Sequence, residues 1–257
     1  MTQLARLDPT RCRTARDGVA VSSAYLAAEL PEWPTSTRVR QPTYSAAPSP
    51  ATSNWAASST RVSRSAPGWT VVSAALCPVL LVGGWLVAGV VQPASYSPMQ
   101  QTMSALAGQP GTDRWIMTGA LFLVGGTQLT TAAGLNGVGL KARLLLAVTG
   151  LCTIGVASSP EPTAGPTPIH LAFAVSCVLT TAIWPIFVAE RDPAPSWGVS
   201  IYVCTAVTAC FGALSGWVLF ATFGGGDLGL AERVTSTALG LFPLVVVLSL
   251  RQAANRA

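Results

Sequence analysis

From Trp69 onward the chain runs as long apolar blocks broken by short polar connectors. Six blocks stand out: Trp69–Val91, Trp115–Leu135, Ala142–Ala157, Ile169–Ala189, Val199–Phe223 and Val234–Leu250. Apart from Arg143 near the start of the third, none holds an Asp, Glu, Lys or Arg. The only histidine, His170, stands at the edge of the fourth. About 20 apolar residues carry a helix across hydrocarbon. Backbone groups in lipid must be satisfied within the segment or in a closed barrel, and these blocks lack the strict alternation of barrel strands. The pattern therefore predicts an all-α integral membrane protein, a bundle of six transmembrane helices. The third and sixth blocks lie near the short limit, so their ends are the least defined.

Residues 1–67 have a different texture. They are rich in Ser, Thr, Pro, Ala and Arg and hold no sustained period, which predicts a disordered tail. Only Val19–Leu30 has a weak helical pattern. No apolar core follows the early arginines, so no signal peptide is expected. The tail reads as inert, as an Arg-mediated binding segment, or as the product of a start codon placed too far upstream. The expected organisation is a cytoplasmic tail over 1–67, a membrane domain over 68–251 and a short cytoplasmic C-terminus over 252–257.

Three connectors on one side carry the unusual residues. In the first, Ser97 is a good N-cap, Pro98 suits the first helical position and Gln100 completes a capping box, with Gly108 as a stop. A short interfacial helix is expected there, with Met99, Met103 and Leu106 on its apolar face and Ser97, Gln101 and Ser104 on its polar face. The second connector contains Glu161 and ends with Thr167 and Pro168 as cap and first position of span four. That places His170 in the first turn, where the helix N-terminus favours a neutral ring. The third runs through three glycines, Gly224, Gly225 and Gly226, and Asp227 to Glu232 and Arg233, with Glu232 complementing a helix dipole.

Composition sharpens this picture. Of 257 residues, 50% are hydrophobic and 10% charged, with a mean hydropathy of +0.49, against roughly 25% charged in soluble domains. The formal net charge is +5, but the basic residues cluster in the tail and at block ends. That distribution sets orientation; it does not form a phosphate-binding face, so nucleic acid is excluded as a partner. With both termini in the cytoplasm, the inside holds the eight tail arginines with Lys141, Arg143, Arg191, Arg251 and Arg256, against Arg114 and Arg233 outside. A multi-pass protein of the cell inner (plasma) membrane is expected. Trp69, Trp115 and Trp197 mark interfaces. Six scattered cysteines, with no CxxC pair, read as small apolar residues. They indicate neither a disulfide framework nor a metal site, and no cofactor is expected.

Small residues stripe the spans, and Gly212 with Gly216 form a GxxxG. Packing inside the bundle is the expected role, with homo-oligomerisation through the same pair as the alternative. Pro78, Pro185 and Pro243 fall inside spans one, four and six and should kink them.

At three places the chain resembles a bacterial membrane family catalogued as domain of unknown function 998. The resemblance rests on Tyr96-Ser97-Pro98 with Thr102-Met103-Ser104-Ala105-Leu106, on Pro168-Ile169-His170, and on Gly229-Leu230-Ala231-Glu232-Arg233. It covers roughly residues 69–250 and leaves the tail out. It implies a six-helix membrane domain and brings no established activity.

Ser97, Gln101, Ser104, Glu161, His170, Asp227, Glu232 and Arg233 are thus candidates to converge as a ligand site on the outer side. The leading reading is a non-catalytic protein that binds membrane lipids or an envelope partner there. A second is a lipid hydrolase, with Ser104 as nucleophile, His170 as base and Glu161 or Glu232 as orienting acid. A third is a small transporter with inverted three-span halves, for which Gln128 is the only amide within a span.

Overall fold

In a computed structural model, residues 66–190, 196–224 and 226–256 are described; tail residues 1–65, with the Val19–Leu30 stretch, and Arg191 lie outside them. Six helices are long and apolar enough to cross a membrane. They are α1 (Gly68–Val90), α3 (Trp115–Gly134), α4 (Leu140–Ser158), α5 (Pro168–Val188), α6 (Ile201–Thr222) and α7 (Leu228–Ala254), with the short α2 (Met103–Ala107) between the first two. Five match the expected blocks to within a few residues. The sixth is the longest of the six, because its polar first turns, including Glu232 and Arg233, are helical and α7 runs on past Arg251.

Each span packs against the next, and α7 returns to α1 to close the ring. Burial is uneven: within its most apolar window α7 is 56% buried, α6 only 11%. So α7 is the central strut and α6 faces outward over most of its surface. From the middle of the bundle toward the end where α7 terminates, Phe211, Phe242 and Trp184 form edge-to-face contacts at 6.0 and 5.8 Å. Trp184 Nε1 donates to the Ala142 carbonyl at 2.8 Å, so the buried indole is satisfied. At the other end α2 inserts Met103 and Leu106 against Met117, Leu121 and Leu81.

Polar side chains stitch the spans. Ser73 bonds Thr131 at 2.8 Å, Thr149 bonds Thr180 at 2.8 Å, and Thr153 donates to Gln128 Oε1 at 3.0 Å. In hydrocarbon such bonds hold helices together because no water competes for them. Glycines set the closest approach: a methyl at Gly125 would lie 2.7 Å from the Gly150 carbonyl oxygen, and one at Gly150 2.8 Å from that of Gly125. By contrast, among the described residues no neighbouring atom lies within 4 Å of such a methyl at Gly212 or Gly216. The expected packing of that pair inside the bundle is therefore not found, because α6 turns these glycines away from its neighbours. Pro78, Pro185 and Pro243 do lie inside helices, all three buried.

Candidate functional site

The three connectors meet at the end of the bundle where α7 begins. The short helix there differs from expectation. Thr102, not Ser97, caps it, accepting from Ala105 N at 3.0 Å. Residues 97–101 form a turn in which the Ser97 carbonyl accepts from Gln100 and Gln101. Met99 consequently stays 43% exposed, while Met103 and Leu106 are buried. Two capping signals compete over five residues, and the second one starts the helix.

Arg233 fixes this turn. It is 5% exposed, and its Nη1 donates to the carbonyls of Pro98, Gln101 and Gly229 at 2.5, 2.8 and 2.9 Å. Its Nη2 donates to the Tyr96 hydroxyl at 2.5 Å. Burial pushes the Tyr96 phenol above its ordinary pKa even though the Arg233 charge pulls it down. Nearby, Glu232 accepts from Met103 N at 2.7 Å and Leu230 N donates to the Met99 carbonyl. The first turns of α7 thus grip residues 96–103 almost entirely through backbone groups. Gly229 permits the approach, since a methyl there would lie 2.6 Å from the Pro98 carbonyl oxygen. Two buried donors, Arg233 Nε and Trp85 Nε1, have no hydrogen-bond partner among the described residues, and the guanidinium lies 5.3 Å from the Trp85 ring centroid.

The second connector is held by its own pair. Thr167 caps α5 by accepting from His170 N, with Pro168 at the first position, as the sequence indicates. The His170 ring is buried. Its Nδ1 lies 2.6 Å from the Ser159 carbonyl and its Nε2 3.1 Å from Glu161 Oε1. A carbonyl only accepts, so Nδ1 must carry a proton. Nε2 facing a carboxyl oxygen then needs a second proton, on the ring or on Glu161. Either way the pair holds one proton more than a neutral ring beside an ionised Glu161 would. The backbone of the same connector also holds the first, where Gln109 N donates to the Glu161 carbonyl at 2.7 Å. Glu232 is close enough for its charge to interact with both Glu161 and His170.

Of the candidates, Glu161, His170, Glu232 and Arg233 come together. No hydrogen bond joins Ser104 to His170. The side chains of Ser97, Gln101, Ser104 and Asp227 make no hydrogen bond to described residues, Gln101 taking part through its carbonyl. Gly224 and Gly226 adopt φ of +106° and +95°, which glycine accommodates and other residues rarely do; they turn the chain toward Asp227. Tyr96, Trp85 and Gln92 were not among the candidates. Gln92 ties α1 to the first connector through paired bonds with Thr112 at 2.9 and 3.0 Å. The Tyr-Ser-Pro run holding Tyr96 is the one sequence signal that points to any of them. Among the described residues no three His, Cys, Asp or Glu side chains are grouped to hold a metal ion.

A family model described as "Protein of unknown function (DUF998)" matches residues 75–249, more than half of the chain, taking in α3 to α6 whole and most of α1 and α7. The chain is a multi-pass helical protein of membrane type, and it belongs to the DUF998 family. No curated protein and no solved structure matches it.

Proposed function

We propose that this is a non-catalytic membrane protein whose three clamped connectors form a rigid outer cap for a lipid headgroup or an envelope partner. One observation carries the reading: Glu161, His170, Glu232 and Arg233 direct their polar contacts onto the chain itself. Both ring nitrogens of His170 face Ser159 and Glu161, and both terminal nitrogens of Arg233 are engaged. A general base needs a free nitrogen within reach of its nucleophile, which favours the cap over the hydrolase. The side chains left for a ligand are Ser97, Gln101, Ser104 and Asp227, with Glu232 at the margin. Basic residues at the opposite end (Lys141, Arg143, Arg251 and Arg256) support placing both termini in the cytoplasm of the plasma membrane.

The test is a lipid inventory. Wild type, His170→Ala and Glu232→Ala are purified, their bound lipids are identified, and each is incubated with mixed phospholipids. Wild-type protein should retain lipid and leave the mixture chemically unchanged, while the two variants retain less. Release of fatty acid or phosphate by wild type but not by His170→Ala would replace this reading with the hydrolase.

A further inference from the structure

Among the described arginines outside the cap, two have evident partners. Arg114 lies over the Trp115 ring, 4.2 Å from its centroid. Arg143 donates to the carbonyls of Ala132 and Ala133 at 3.0 and 2.9 Å. Arg251 and Arg256 are different. Neither side chain makes a hydrogen bond or ion pair to a described residue, and both line a pocket of about 400 Å³ where α7 ends against the start of α1. Its other walls are Val71, Leu248, Gln252 and Asn255. Gln252 Oε1 accepts from Trp197 Nε1 at 3.0 Å, which orients the amide and leaves its nitrogen free to donate.

The lining has two chemistries. Two guanidiniums and two amides offer several donors, with no carboxylate among them, and guanidinium forks match phosphate oxygens. Val71 and Leu248 are apolar, and Leu248 is 47% exposed on the outer surface of a membrane-spanning helix. A ligand that fits both is anionic at one end and hydrocarbon at the other. Complementing the α7 dipole accounts for Arg251. It does not account for Arg256, which lies beyond the last helical residue, or for the apolar flank.

We propose that this pocket holds the phosphate headgroup of an anionic phospholipid from the leaflet at that end, its acyl chains running along Val71 and Leu248. The site is at the opposite end from the outer cap and does not depend on it. Basic pockets between membrane helices recognise anionic headgroups by this combination of charge and adjacent hydrocarbon.

The full chain in phosphatidylcholine nanodiscs, titrated with phosphatidylglycerol and read by native mass spectrometry, tests it. Wild type should retain phosphatidylglycerol over phosphatidylcholine. Arg256→Ala should weaken retention roughly fivefold and Arg251→Ala with Arg256→Ala roughly thirtyfold. Arg256 is exposed at the end of the chain, so its removal should leave the melting temperature unchanged. Lys141→Ala removes a charge at the same end outside the pocket and should leave retention unchanged. Equal retention of the two lipids, or an equal loss in Lys141→Ala, would overturn the site as diffuse attraction. Competition by water-soluble glycerol phosphate as strong as that by the lipid would overturn the lipid assignment.

Discussion

Arg233 shows how a single buried charge can organise a loop. A lysine there would keep the charge but offer a point donor in place of a planar fork reaching three carbonyls and a phenol. Arg233→Lys should therefore cost roughly 2–4 kcal/mol, because buried carbonyls would lose their donors. Thermal unfolding in detergent would register it as a clear fall in melting temperature. Glu232→Gln should cost only about 1 kcal/mol, since an amide oxygen can still accept from Met103 N. If instead Glu232→Gln matches Arg233→Lys, the carboxylate's coupling to Glu161 and His170 matters more than its hydrogen bond. The sequence carried the identities of these residues but not the pairing. Arg233 meets Pro98 across 135 positions and Glu232 meets Met103 across 129, and no local period encodes such contacts. His170 was legible as the first-turn residue of span four. Its choice of Glu161 over Glu232 depends on where the Ser159–Thr167 connector folds back.

The spans themselves were legible because hydrocarbon imposes one requirement, unbroken apolar length, that can be counted along the chain. What each helix faces was not, because small residues serve close packing and lipid exposure alike. Gly125 and Gly212 look similar in sequence, yet one sits against a neighbouring backbone and the other against none of the described residues. Gly125→Ala should lower stability by roughly 1–3 kcal/mol through overpacking. Gly212→Ala should leave the monomer's unfolding unchanged. If Gly212→Ala and Gly216→Ala reduce a cross-linked dimer while monomer unfolding holds, the α6 stripe is a contact between copies. An unchanged cross-linking pattern would make it a lipid-facing surface. The short helix starts later than expected for a long-range reason. Ser97-Pro98 is a sound start signal, but Arg233 and Leu230 draw on the carbonyls of Pro98, Met99 and Gln101. Those carbonyls are then engaged before a continuing helix can use them, so α2 begins only at Met103, after its cap Thr102.

At the scale of the molecule, two ends of unlike charge remain. Lys141, Arg143, Arg251 and Arg256 stand at one end of the described bundle, with Glu190 the only acidic residue described there. Asp113, Glu161, Asp227 and Glu232 outnumber Arg114 and Arg233 at the other. A bilayer with its basic end in the cytosol accommodates this arrangement, since translocating a lysine or arginine is the costly step in insertion. Single cysteines at Lys141 and Thr163 test it in intact cells with a membrane-impermeant maleimide, scored against the unsubstituted chain. Thr163→Cys should label from outside, and Lys141→Cys only after permeabilisation. The reverse pattern would turn the outer cap toward the cytosol and the α7 pocket toward the outer leaflet, leaving the bundle intact. Labelling of both from one side would be more damaging. The two positions are separated by α4 alone, so its crossing of the membrane, and with it the alternation of all six spans, would be lost.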